Sequence, residues 1–235
     1  MNYSSSLDYL YGLQRFGIKL GLENMQAIKS RLPHLQKTLP CIHVAGTNGK
    51  GSVSVMLADI LKHSGLRVGL YTSPHLLCFT ERIRIDGEPV SRDDVALLAK
   101  QVRVAADGIP VTFFEATTAM ALLAFQERRV DIAVIETGLG GRLDATNIIE
   151  PQLCIITPIS RDHSEHLGES LAEIAAEKAG ILKPGVPVVV GRQEPEALEV
   201  VLNTASSLDA RVCLAGRDFF WEEEHADLTV VMGQE

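Results

Sequence analysis

Cys41-Ile42-His43-Val44-Ala45-Gly46-Thr47-Asn48-Gly49-Lys50-Gly51-Ser52 joins an apolar run to a glycine-rich turn. A helix pattern follows it in Val53, Val55, Met56, Leu57, Ile60 and Leu61. The apolar run reads as a buried strand, so the whole stretch is strand, flexible turn with a lysine, helix start. That is the layout of a loop that cradles phosphate. Glycines let backbone N–H groups turn toward an anion, the helix N-terminus adds partial positive charge, and Lys50 supplies a full one. The spacing departs from the common P-loop, which sets a glycine and four further residues ahead of Gly-Lys-Ser/Thr. Here Val44 fills the first position, and Gly51 separates Lys50 from Ser52. A plain strand–helix turn with spare glycines and a surface lysine is the bland alternative. The packing of Gly46, Gly49, Gly51, Lys50 and two hydroxyls into one junction favours a nucleotide phosphate site, with Thr47, Asn48, Gly49, Lys50, Gly51 and Ser52 as its contacts.

Outward from this loop the chain alternates elements. Residues 6–16 carry helical spacing, residues 17–22 break it, and a second helix pattern runs to about Leu32. Residues 66–71 read as a strand that stops at Thr72-Ser73-Pro74-His75. Residues 81–87 alternate polar and apolar and turn at Asp86-Gly87, as a half-exposed hairpin arm does. Ser91 with Asp93 and Asp94 reads as the N-cap and acidic first turn of a helix to about Ala106. Thr112-Phe113-Phe114-Glu115 leads into a helix over residues 116–127 that is apolar nearly all round, hence buried. Strand runs follow at 130–135, 153–156, 186–190 and 211–214. Helix patterns run from Ser170 to Gly180 and over 195–206, and the tail, including residues 227–232, is strand-like.

Strands separated by helices predict an α/β fold with a mostly parallel sheet flanked by helices. Ligands of such sheets gather outside the carboxyl ends of the strands. The polar clusters 47–52, 72–75, 136–144 and 157–163 all follow strands, which is the best reason to expect them in one site. The chain, at 235 residues and 46% apolar, has ample core for one large domain or for one domain with an incomplete second. Residues 1–221 are expected to form the nucleotide-binding domain with a helical lead-in, and 222–235 a tail or the start of a linker. A net charge of −8 without a basic stripe argues against nucleic acid. No run approaches the ~20 apolar residues of a membrane span, and residues 1–6 show no secretory signal. Cys41, Cys78, Cys154 and Cys213 are far apart and read as reduced core residues of a cytoplasmic protein.

A nucleotide triphosphate brings a divalent cation, and Mg²⁺ takes hard oxygen ligands while keeping waters. Glu136, directly after a strand, is the obvious carboxylate, with pairing to an arginine as its alternative. Ser73 and Ser52 offer hydroxyl oxygens or serve as turn and cap residues. His163 is a less usual magnesium ligand; with His166 it raises zinc, but no third His or Cys stands at ligand spacing. Lys178, beside Glu177, reads on its own as a solvated lysine on a charged helix face.

The segments 46–52, Thr72-Ser73-Pro74-His75-Leu76, Glu136-Thr137-Gly138-Leu139-Gly140-Gly141-Arg142-Leu143-Asp144-Ala145-Thr146-Asn147, Asp162-His163 and Glu177-Lys178-Ala179-Gly180-Ile181-Leu182-Lys183 resemble, in order, the folylpolyglutamate synthase/dihydrofolate synthase family of Mur-ligase-like amide-forming enzymes. The glycine-rich run after Glu136 is the most specific of them. The resemblance implies an ATP-dependent ligase. ATP phosphorylates the carboxylate of dihydropteroate or a folate, and L-glutamate attacks the acyl phosphate to form an amide. It implies Ser73, Glu136 and His163 as Mg²⁺ ligands, and Lys178 as a lysine carried as a carbamate that adds an oxygen ligand. Lys50, Lys178 and His163 then serve the chemistry. Leu20, Gly21, Leu22, Thr112, Phe113, Phe114, Glu115, Arg142 and Leu143 line the pterin side, with the two phenylalanines packing on a flat ring.

Family members continue into a second α/β domain that contributes adenine, ribose and glutamate contacts. This chain ends at Glu235, so it is expected to be the N-terminal domain of a ligase that is monomeric at full length, and to bind weakly and catalyse poorly alone. The alternatives are an inactive nucleotide-binding module acting with a partner chain, or a Mur-type ligase of another substrate. Residues 113–115 and 138–144 speak against the latter.

Overall fold

The strand that precedes the glycine loop is buried at every position, which only a central strand covered on both faces can be. The computed structural model describes residues 1–17, 19–162, 164–224 and 227–232. This strand, β1 (Cys41–Ala45), lies between two later ones, β5 (Ile132–Glu136) and β6 (Leu153–Ile156), parallel to both. Beyond β5 come β2 (Val68–Tyr71), β3 (Ile83–Ile85) and β4 (Glu88–Pro89); beyond β6 come β7 (Val188–Val190) and β8 (Val212–Leu214). The sheet order is β4-β3-β2-β5-β1-β6-β7-β8, with the β2–β3 and β3–β4 pairings antiparallel and the rest parallel. Asp86 and Gly87 both take positive φ, which closes β3 and β4 into the hairpin expected there. A separate antiparallel pair, β9 (Phe219–Glu224) and β10 (Asp227–Met232), ends the described chain and straddles the expected boundary at 221.

The helices follow their capping residues. Asn2 caps α1 (Tyr3–Gly12), and α2 (Glu23–Arg31) follows a short 3₁₀ turn, Leu13–Phe16. After β1 comes α3 (Lys50–His63). Ser91 caps α4 (Arg92–Ala105), its hydroxyl accepting from Asp94 N–H at 3.0 Å, as its sequence suggests. The next helix, α5 (Phe113–Glu127), starts earlier than expected: Thr112 is its N-cap, and Phe113-Phe114-Glu115 form its first turn rather than a lead-in. The short α6 (Ser164–Leu167), α7 (Leu171–Ala179, capped by Ser170) and α8 (Pro195–Ser207) complete the set among the described residues.

Alternation along the strands assigns the faces. Ile42, Val44, Val68, Leu70 and Val134 meet α3. Cys41, Tyr71, Ala133 and Ile135 meet α5, around which α1, α2 and α4 pack. Cys154, Ile156, Val188, Val190 and Leu214 meet α7 and α8. Each fully buried Leu, Ile, Val, Phe or Met contributes ~1.5–3 kcal/mol. Such residues fill α5, whose Met120, Leu123 and Phe125 have no exposed surface. Of the cysteines, Cys41 and Cys154 are buried as expected, but Cys78 is exposed and Cys213 half-buried; all four are free thiols. From β1 the chain crosses to β2 on one side, while β6, β7 and β8 extend the other. The sheet therefore switches direction at β1, and its carboxyl end is where a ligand crevice forms.

Candidate functional site

The exits of β2, β5, β1 and β6 are neighbours in that sheet, so the four polar clusters expected to converge do so. The loop after β1 is moored to the exit of β6. Thr47 and Asn48 N–H both donate to Pro158 O (3.0 and 3.1 Å), Thr47 Oγ1 donates to Ser160 O (3.0 Å), and Asn48 Nδ2 donates to Ser160 Oγ (3.0 Å). Gly46 makes this approach possible: a Cβ there would lie 1.9 Å from Thr157 Oγ1, at a φ of +145°. Thr47 and Asn48 thus build the loop through these bonds. The groups left for an anion are the amides of the first turn of α3. Gly49, in the left-handed region, precedes it; no side chain caps it, and Val53 N–H is the first to reach back, to Gly49 O. Lys50 folds over the loop, Nζ donating to Gly46 O (3.1 Å) and Thr47 O (3.4 Å).

Lys178 corrects the sequence reading most clearly. It is 3% exposed rather than solvated, because the last turn of α7 packs against this loop, and its Nζ donates to Gly46 O at 2.8 Å. Burial, with the nearby Lys50 charge, brings its pKa down to about 8. Glu177, read as part of a charged face, accepts from Arg142 Nη2 at 2.6 Å. Glu136 is buried at the end of β5 and accepts Ser73 N–H at 3.1 Å. Burial raises its pKa, opposed by that N–H and by Lys50. A desolvated carboxylate beside Gly51 in the first turn of α3, where a Cβ would lie 3.6 Å from its Oε2, and bonded to Ser73 N–H, fits a magnesium ion that keeps several waters, with the Ser73 and Ser52 hydroxyls as further oxygens. Among the described residues no three His, Cys, Asp or Glu stand together. His163 lies outside the described residues.

Beside Glu136 opens a cavity of about 290 Å³. Leu20, Thr112, Phe113, Phe114, Glu115 and Leu143 line it. Gly21 sits at its rim, donating to Leu143 O at 3.3 Å, while Leu22 packs into the core and Arg142 turns away to Glu177. Glu115 is a capping residue as well: its carboxylate accepts Thr112 N–H (2.7 Å) and Asn24 Nδ2 (3.1 Å). Phe113 stacks on Tyr11 with centroids 5.6 Å apart, and Phe114 lies so close to Gly138 that a Cβ there would meet its ring at 2.4 Å.

Sequence reasoning missed Asp144 and Arg82 as wall residues. Asp144 is fully buried and folds the glycine run back on itself, accepting N–H from Gly138 (2.9 Å) and Leu139 (2.8 Å) and from Thr146 (3.0 Å). Burial raises its pKa. Its position at the end of the conspicuous run was the available signal. Arg82 was read as a half-exposed hairpin position; it ends a 3₁₀ turn, Phe79–Arg82, and is 7% exposed.

Residues 44–216 match the Mur ligase middle domain. The dihydrofolate synthase/folylpolyglutamate synthase of Bacillus subtilis (strain 168) is 41% identical over 210 residues, covering 86% of this chain and 49% of that protein. The chain spans about half the length of the curated relatives it matches. Among solved structures, E. coli FolC in complex with DHPP and ADP superposes with a TM-score of 0.91 at 36% identity, over 99% of this chain and 56% of that one. The apo form of L. casei FPGS gives 0.90 at 37% identity, over 95% of this chain and 56% of that one. No described helix is long and apolar enough to cross a membrane. The chain belongs to the Mur ligase middle-domain family, and within it is similar to folylpolyglutamate and dihydrofolate synthases.

Proposed function

We propose that this chain is the phosphate- and acid-binding part of an ATP-dependent ligase that adds L-glutamate to dihydropteroate, to folates, or to both, in the cytoplasm. The observation that carries the reading is the adjacency of two half-sites, an uncapped lysine-bearing helix start and a largely apolar cleft, with Glu136 between them. The acid's carboxylate oxygen attacks the terminal phosphorus of ATP, the bond to the ADP oxygen breaks, and an acyl phosphate results. The glutamate amine then attacks the acyl carbon, and phosphate and a proton leave.

Lys50 and the first turn of α3 hold and orient the phosphates, and they stabilise charge that develops during transfer. Glu136, Ser73 and His163 hold Mg²⁺, which when bound neutralises negative charge on the phosphoryl group. Lys178, with a pKa near 8, has a neutral fraction at physiological pH whose nitrogen would bond to CO₂ and lose a proton to solvent, giving a carbamate whose anionic oxygens could serve as ligands. Leu20, Phe113, Phe114 and Leu143 enclose the ring system and keep water from it.

The test is ADP formation by the gene product expressed from its natural locus, with its intact mass measured in parallel. Release that needs both an acid (dihydropteroate or folate) and glutamate supports the reading. Release indifferent to either, or to Lys50→Met, overturns it.

A further inference from the structure

The central strand holds a polar side chain that packing alone does not call for. His43 is wholly buried in the middle of β1, and its Nδ1 has no partner among the described residues. A valine or leucine there would bury as well and leave no nitrogen unsatisfied. The other ring nitrogen supplies the reason for a histidine. Nε2 lies 2.8 Å from Thr146 Oγ1, a hydroxyl that is itself wholly buried and that donates to Asp144 Oδ1. Because the hydroxyl proton goes to the carboxylate, the oxygen accepts from Nε2–H. The ring is then the Nε2–H tautomer, and the rotation of the hydroxyl is fixed.

Asp144 carries this order into the cleft. Its Oδ2 accepts N–H from Gly138 and Leu139 at 2.9 and 2.8 Å, and its Oδ1 accepts Thr146 N–H at 3.0 Å beside the hydroxyl. Gly138, Leu139, Leu143, Asp144 and Ala145 all line the cavity, whereas His43 and Thr146 do not. One wall of the cleft is thus a short run folded around a carboxylate, and the histidine ties that carboxylate to β1. Removing a link leaves a buried acceptor short of a donor, and the amides that the carboxylate orients lose their register. The loop after β1 is held separately, by Pro158 and Ser160. We propose that His43 positions the acid-side wall of the cleft through Thr146 and Asp144, so that affinity for the acid depends on a histidine outside the cleft lining while affinity for the nucleotide does not. The inference rests on the cleft being the acid site of the proposed ligase.

The experiment titrates pteroic acid, and separately ADP with magnesium, into the full 235-residue chain by calorimetry. Thr146→Val keeps the shape of the side chain and removes the hydroxyl; His43→Leu removes the ring donor. Each is expected to weaken pteroic acid about three- to ten-fold, the range for one hydrogen bond, and to leave ADP within about twofold. The double variant is expected to bind the acid no worse than Thr146→Val alone, because both changes cut one chain of bonds. Thr146→Ser, which restores the hydroxyl, and His43→Gln, whose amide can donate in place of Nε2–H, are expected to keep wild-type affinity. Long-range proton–nitrogen NMR on wild type needs no variant. It should show the Nε2–H tautomer of His43, with a resonance that moves when pteroic acid saturates the chain.

Unchanged acid affinity in Thr146→Val overturns the assignment while leaving the cleft as the acid site. So does an Nδ1–H tautomer in wild type, or a His43 resonance that bound pteroic acid leaves in place. Equal losses of acid and ADP in Thr146→Val, in step with its loss of stability in urea, would make the bond a structural one and equally overturn the inference. Failure of wild type to bind pteroic acid removes the substrate reading, and this inference with it.

Discussion

His43, in the middle of β1, is wholly buried, and its Nε2 lies 2.8 Å from Thr146 Oγ1. That hydroxyl donates to Asp144, so it accepts from Nε2–H and leaves Nδ1 without a partner. Burial, aided by the Lys183 charge, lowers the pKa of His43 to about 3. Between that value and the ordinary one near 6.5 the unfolded chain binds a proton that the folded chain refuses. Stability is therefore full above pH ~6.5 and falls as the pH drops, by up to about 1.4 kcal/mol per unit. In urea titrations, the stability advantage of wild type over His43→Gln should shrink by about 2 kcal/mol between pH 7.5 and pH 5. A constant difference would mean that His43 titrates alike in both states. No sequence pattern announces this histidine, which sits in an apolar run like any strand residue. Lys178 was hidden for a related reason: its burial comes from packing α7 on a loop more than a hundred residues away in the chain, and helical spacing alone says only which side it is on.

At the scale of elements, α5 is the instructive case. An apolar period placed its start at 116, yet Thr112 and Glu115 form a reciprocal cap, Thr112 Oγ1 accepting Glu115 N–H at 3.1 Å and Glu115 accepting Thr112 N–H at 2.7 Å. The T-x-x-E spacing was legible in the sequence, but the aromatic pair inside it read as a ligand platform. The cap and that reading are compatible, since the capped first turn is what sets Phe113 and Phe114 in the cavity wall. Thr112→Ala should cost about 1 kcal/mol in chemical denaturation, with Thr112→Ser near wild type. Gly138→Ala attacks the same wall from the facing loop, where the added methyl meets the Phe114 ring. A loss of roughly 1–3 kcal/mol is expected from such overpacking, together with weakened pteroic acid binding. Unchanged stability in Gly138→Ala would show that the loop can withdraw. The hairpin arm misled in the opposite way: alternation over 81–87 gave β3 and its turn correctly, but a 3₁₀ turn at Phe79–Arg82 rotates Arg82 inward, and period-two reasoning cannot anticipate a change of element.

For the whole molecule, the alternation of strands and helices made the parallel sheet legible, and the habit of polar clusters following strands made one shared site legible. The order β2-β5-β1-β6 was not, because which strands become neighbours is decided by long-range burial rather than by local spacing. That order has a functional consequence. In the proposed function the loop after β1 and the exit of β6 are the phosphate side; the exits of β2 and β5, with α5, form the cleft, and Glu136 stands at the seam. Among the described residues Lys50 hydrogen-bonds to its own loop, and it is absent from the cleft wall. The two half-sites should therefore bind independently. Lys50→Met is expected to weaken ADP binding, measured with magnesium present, by on the order of ten- to a hundred-fold, and to leave the affinity for pteroic acid within about twofold, as for separated sites without shared partners. Glu136→Gln, at the seam, should alter both. Should Lys50→Met weaken the acid as strongly as the nucleotide, the crevice would be one coupled pocket, and the division drawn from the sheet order would be wrong.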